Sequence, residues 1–284
     1  MGASSVTGFP QSASYVNVVP LSGGRVAGGV VGPIGAAPAV GGAPQLTYRG
    51  GPLITNVKLV GVYWGSAWSG AQQQQQGVSR TAIDNFLGDL AMSAYIDLLA
   101  EYSVSGMTIA RGTFQGSVIV GTDPGAQVSD GDIQALLQQR MADGTLPPWD
   151  ANTLFAVFLP SGTTVTQGGS ASCQTFCGYH DAIVDPTSNA PLAYYCVLPY
   201  PDCSGCMQSA DGSTLQPFDA LTSVISHEVA EAITDPVPGS GWYDDQNGEI
   251  GDICAWQLAT MDGYTVQQEW SNQAGSCVGP TTQG

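Results

Sequence analysis

The chain predicts an α+β fold, a mixed twisted sheet with helices packed against it. Three features carry that expectation. Apolar, β-branched runs recur at residues 53–64, 153–159 and 193–198, the composition of strands that are covered by other elements. Apolar residues recur at helical spacing at 79–92, 130–141 and 218–236. The two kinds of segment alternate along much of the chain, as a sheet backed by helices requires. At 284 residues the length suffices for one full core, and residues 51–284 are read as a single metal-binding domain.

Residues 1–50 are Gly, Ala, Pro, Ser and Val with almost no charge and no sustained period, and are read as a flexible leader. In the strand 53–64, Val57, Leu59, Gly61 and Tyr63 alternate. Ile83, Phe86, Leu87 and Leu90 mark the first helix, and a shorter one is expected over 94–101. One or two strands follow at 107–120, broken by glycines. Asp130 is expected to cap the helix 130–141, which presents Ile133, Leu136 and Leu137. Residues 160–190 read as a loop, and 199–216 as irregular. Asp219 is the expected cap of the helix 218–236, and Pro236 its stop. Beyond it come strands at 249–256 and 264–270, with a hairpin signal at Asp262-Gly263.

Six Lys and Arg against 23 Asp and Glu give a net charge of −17. Such a surface repels phosphate backbones and anionic lipid headgroups, so neither nucleic acid nor a membrane is an expected partner. No apolar run reaches the length of a membrane span, and residues 1–5 lack the basic and apolar regions of a signal peptide. Seven cysteines, several closely spaced in Gly- and Ser-rich stretches, read as disulfides of the mature form of an exported protein. Of these, Cys196 is expected to stay free, because it lies in the apolar run 192–198.

The segment Ser226-His227-Glu228-Val229-Ala230-Glu231 has the form His-Glu-x-x-Glu. On a helix, His227 and Glu231 project to one side, and a neutral imidazole and a carboxylate so placed bind one metal ion. Glu228 sits about 100° round the helix, where it can hold a water and take its proton. This is the His-Glu-x-x-His arrangement of zinc peptidases with Glu in place of the second His, in a fold compatible with the zincin class. The competing reading is a surface helix whose carboxylates face solvent. A catalytic zinc takes three protein ligands. Candidates for the third are Asp252, Glu249 and His180, in that order of preference; on a strand, Glu249 and Asp252 would face opposite ways. One His and two carboxylates suit zinc, with Mn or Ca as competitors. Asp235, Asp244, Asp245 and Asn247 crowd the following loop, a pattern that suits either ordinary turn chemistry or a separate calcium site. Tyr243 and His180 are candidates to stabilise an oxyanion.

Several motifs together resemble one family. They are the strand NVKLVGVYWG, Cys-x-x-x-Cys-Gly-Tyr-His at 173–180, Cys203-Ser-Gly-Cys206, ISHEVAEAITDP at 225–236, GWYDDQNGEIGDIC at 241–254, and the late Cys277. Over residues 53–277 the chain resembles the phosphate-induced, EXORDIUM-like secreted proteins of plants and their bacterial and fungal relatives. The resemblance implies secretion, disulfides and an extracellular or cell-wall setting. Plant members are tied to growth and cell expansion. Microbial members that keep His-Glu-x-x-Glu are similar to zinc peptidases, and this chain is similar to those. The expected activity is therefore zinc-dependent hydrolysis of a peptide or protein, with Glu228 as general base. The alternative is a non-catalytic wall or carbohydrate-binding protein with a structural metal, using Trp64, Trp68, Trp149 and Trp242.

Overall fold

A computed structural model describes residues 18–22, 24–27, 30–33, 43–69, 74–75 and 77–280. Its centre is a six-stranded mixed sheet built from β1 (Val18–Pro20), β2 (Asn56–Trp64), β3 (Ala110–Val120), β4 (Thr153–Phe158), β5 (Phe176–Val184) and β6 (Pro191–Leu198), in the order β1-β5-β6-β4-β2-β3. The pairs β6/β4, β4/β2 and β2/β3 are parallel, whereas β5 runs antiparallel to both β6 and β1. Helices lie in the crossovers from β2 to β3 and from β3 to β4, whereas β4 reaches its parallel neighbour β6 by way of β5. The crossover helices are α1 (Arg80–Met92), the short α2 (Ala94–Leu98) and α3 (Asp130–Ala142); α4 (Pro217–Thr234) comes after the sheet. The α+β expectation is met.

Strand alternation gives the sheet two different faces. Val60, Val62, Phe155, Val157, Tyr195 and Val197 pack with Ile133 and Leu137 of α3. Leu59, Tyr63, Ala156, Phe158 and Cys196 pack on the opposite side with Phe86 and Leu90 of α1 and with Val224, Ile225 and Val229 of α4. Every α4 residue from Ala220 to Thr234 is buried. This helix is enclosed because the hairpin Leu258–Met261/Tyr264–Gln267 closes over its outer side. Thr222 donates to the Thr265 carbonyl, and the Gln267 N–H donates to Ser226 Oγ at 2.9 Å. Buried polar atoms of the helix are thereby paired, as burial requires.

Several local expectations give way to identifiable forces. Ser129, not Asp130, caps α3, in a reciprocal capping box with Asp132. At α4 the first helical residue is Pro217, so Gln216 takes the cap position and Asp219 lies inside the first turn. Much of the loop expected over 160–190 is strand β5, held between β6 and β1. The strand expected over 249–256 is a short 3-10 turn, Asp252–Cys254. The hairpin at Asp262-Gly263 is present, with φ of 49° and 89° at its two residues, as a primed turn needs. Within 1–50, Val18 and Val19 are buried in the sheet edge and Leu46 in the core; most of the leader reading falls on residues outside those described.

Three disulfides join Cys173 to Cys203, Cys177 to Cys206 and Cys254 to Cys277, and Cys196 is a buried free thiol. The first two fasten the start of β5 to the segment preceding α4. Among the described residues, no helix is long and apolar enough to cross a membrane.

Candidate metal centre

Four of the chain's five glutamates and both of its histidines meet on the α4 side of the sheet. On α4, His227 and Glu231 lie one turn apart, with Nε2 3.0 Å from Oε1. The competing surface-helix reading fails, because His227, Glu228 and Glu231 are fully buried. Strand β5 supplies His180. Its Nδ1 is 3.3 Å from Glu228 Oε2 and 3.5 Å from Glu231 Oε2; its Nε2 is 3.1 Å from the Asp235 carbonyl and 3.4 Å from Glu249 Oε1.

The turn after α4 brings in the remaining carboxylates. The Glu249 N–H donates to Asp252 Oδ2 at 3.0 Å, and the Asp252 N–H donates to Glu231 Oε1 at 3.1 Å. Local side-chain bonding of this kind competes with strand pairing. It also sends the two acids to different neighbours. Asp252 joins His227 and Glu231 in a group whose donor atoms lie within 4.8 Å of one another; His180, Glu228 and Glu231 form a second such group. Glu249 approaches His180. The structure thus brings Asp252, the preferred candidate, to the His227 pair.

Two glycines make the approach of these elements possible. A Cβ on Gly251 would lie 2.7 Å from His227 Nδ1, so the turn can pass the imidazole only without a side chain. A Cβ on Gly178 would lie 2.6 Å from Val224 Cγ1 and 3.1 Å from Glu228 Oε1. Gly178 therefore lets α4 settle onto β5.

The electrostatics are those of a site with too much negative charge. Burial pushes the Glu228 carboxyl up to about 7, and it holds Glu249, Asp252 and Glu269 well above the usual carboxylate range. Burial opposes charge on His227, but Glu231 outweighs it and raises the imidazole to about 10. His180 is raised well above its ordinary value by Glu249, Glu228 and Glu231, again against the effect of burial. Glu231, between the two imidazoles, is drawn down to about 2 despite its burial. Both ring nitrogens of His227, Glu228 Oε1, Glu231 Oε2, Asp252 Oδ1 and both Glu249 oxygens are buried with no hydrogen-bond partner. Orphaned atoms at this density are rare in folded proteins, and the donor set of imidazole nitrogen and carboxylate oxygen is that of a divalent-metal site. The residues fit an ion.

The other expected site residues have structural roles. Asp235 is buried at the end of α4 and accepts the N–H groups of Gly239, Ser240 and Gly241 at 2.6, 3.0 and 2.5 Å. Asp244 accepts the N–H groups of Gln45, Gln246 and Asn247, while exposed Asp245 pairs with Arg49 at 2.6 Å. These contacts are the turn chemistry that competes with a calcium site, and the metal-type groups seen among the described residues do not include the three aspartates. The Tyr243 ring lies beneath the Arg49 guanidinium, 4.6 Å from its centroid.

One member of the centre was not singled out by motif. Glu269 is buried, accepts the Tyr95 hydroxyl at 2.5 Å, and places its charge near His227. The one sequence signal for it is rarity, since the chain has only five glutamates; its strand, Glu269–Ser271, carries no motif. No known protein family and no curated protein matches this chain.

Proposed function

We propose that the protein is a secreted, zinc-dependent metallopeptidase. The observation that supports this most is the buried meeting of His227, Glu231 and Asp252 beside Glu228 on the same helical turn. His227 Nε2 and one oxygen each of Glu231 and Asp252 would hold the ion. A divalent ion there supplies Lewis acidity toward a carbonyl and toward water. Glu228, with its carboxyl near 7, is matched to accept a proton and return it to a leaving amine at neutral pH. Secretion is supported by the three disulfides and by the EXORDIUM-like resemblance, and a peptide substrate by the helix motif.

The complete burial of His180, His227, Glu228 and Glu231 favours a second reading, an extracellular protein in which the ion is structural. Its aromatic surface has little support, since Trp68 is buried and the Trp242 indole N–H donates to the Tyr102 carbonyl. Glu228→Gln separates the two. As a peptidase, the variant keeps the ion at His227 and loses roughly 10²- to 10⁴-fold in cleavage of a peptide library. If the wild-type chain carries zinc yet cleaves nothing, with or without chelator, the structural reading stands and the peptidase reading falls.

A further inference from the structure

We propose that the chain binds two divalent cations side by side, with Glu231 bridging them. The inference rests on the metal reading above and deepens it. The two oxygens of Glu231 face different imidazoles, with Oε1 3.0 Å from His227 Nε2 and Oε2 3.5 Å from His180 Nδ1. Each half of the carboxylate therefore belongs to a different set of donors, one with Asp252 and one with Glu228.

The hydrogen bonding of His180 sharpens the case for the second position. Its Nε2 lies 3.1 Å from the Asp235 carbonyl oxygen, which can only accept, so Nε2 carries a proton. Nδ1 faces carboxylate oxygens of Glu228 and Glu231, at 3.3 and 3.5 Å. Atoms so placed in a dry interior need a positive charge among them, and in the metal-free chain the Nδ1 proton is that charge, at the position where a cation would replace it. Nitrogen and carboxylate oxygen donors suit zinc or manganese at both positions, and paired ions of this kind are a recurrent hydrolytic arrangement.

The test uses the full chain, stripped with chelator, dialysed against zinc alone and analysed for metal per polypeptide. Two ions are expected, and a zinc-edge anomalous map should place them on either side of Glu231. His180→Ala should keep one ion, at His227. A wild-type chain with one ion, a second peak away from Glu231, or two ions retained at Glu231 in His180→Ala would each overturn the bridge while leaving the peptidase reading in place. No ion at all would remove both. The wild-type stoichiometry and map do not depend on any variant folding.

Discussion

The two faces of the central sheet are made by the same strands and bury opposite chemistry. Toward α3, Val62, Phe155, Val157 and Val197 meet Ile133 and Leu137 in an apolar layer. Toward α4, the alternate residues are Gly61, Ala156, His180 and Cys196, and beneath them lie Glu228, Glu231 and Glu249 with no solvent exposure. Removing the first set from water stabilises the fold at about 25 cal/mol per Å² of apolar surface. Removing the second set costs free energy unless protons or cations compensate. The small residues on the α4 side also make the space into which His180 and the helix fit. The α3 face is held mainly by apolar packing, whereas the α4 face combines apolar packing of Leu59, Tyr63 and Phe158 with a polar centre whose cost depends on its state of charge.

That contrast is testable first where the largest effect lies. Phe155 is fully buried on the α3 side. Phe155→Ala should cost about 3–5 kcal/mol, and denaturant unfolding should give the same loss in chelator as in saturating zinc. A loss that depends on metal would mean the two faces are coupled through the sheet, contrary to the division drawn above.

Much of this fold was legible because covered parallel strands announce themselves. The runs that became β4 and β6 are apolar almost throughout, and β2 is apolar from Leu59 to Trp64. By contrast, β5 was read as loop, because Phe176-Cys-Gly-Tyr-His-Asp-Ala-Ile-Val184 mixes Gly, His and Asp with its apolar residues. It is a strand through pairing with β6 and β1 and through the disulfide at Cys177, all long-range facts. His180 is a candidate by residue type, but its place in the site is not local information. The spacing of His227 and Glu231 is local and could be read from the helix period. The approach of His180 to Glu231, 51 positions apart in sequence, depends on β5 being a strand at all. Strand alternation predicts that one of Glu249 and Asp252 reaches His227, and Asp252 does, although the segment is not a strand. The turn at Gly251, not strand alternation, separates Asp252 from Glu249.

A middle-sized effect comes from that turn. Gly251→Ala would put a methyl 2.7 Å from His227 Nδ1, and either the ring or the turn carrying Asp252 must shift. Its backbone, at φ −80° and ψ −36°, is open to alanine, so the cost falls on the site and not on the chain conformation. Displaced supporting groups typically lower metal affinity about 10- to 100-fold. Competition titration against a zinc-binding dye should show a loss in that range, and denaturant unfolding in chelator a loss of about 1–3 kcal/mol from overpacking. Unchanged affinity would mean that the imidazole is not held where the metal reading needs it.

The smallest effect is the most direct measure of how the charged face is compensated without metal. Glu228 has a carboxyl raised from 4.5 to about 7 by burial. Its contribution to stability is fully present below the unfolded value and is lost as pH rises through the folded one. The His227 imidazole, raised from 6.5 to about 10 by Glu231 against its burial, contributes in the same sense, fully below 6.5 and fading toward 10. Glu231 acts oppositely: drawn from 4.5 to about 2 by His227, it stabilises above 4.5 and loses that contribution as pH falls. The metal-free chain should therefore be most stable near pH 4.5 to 5, and its Tm should decline by a few degrees toward pH 8. A divalent ion displaces those protons, so its binding tightens over the same interval, and the zinc-saturated chain should hold its Tm there. Calorimetry from pH 4.5 to 8 with and without zinc gives both curves. Parallel curves would show that protons and metal do not compete for this site, and would place any bound ion elsewhere on the molecule.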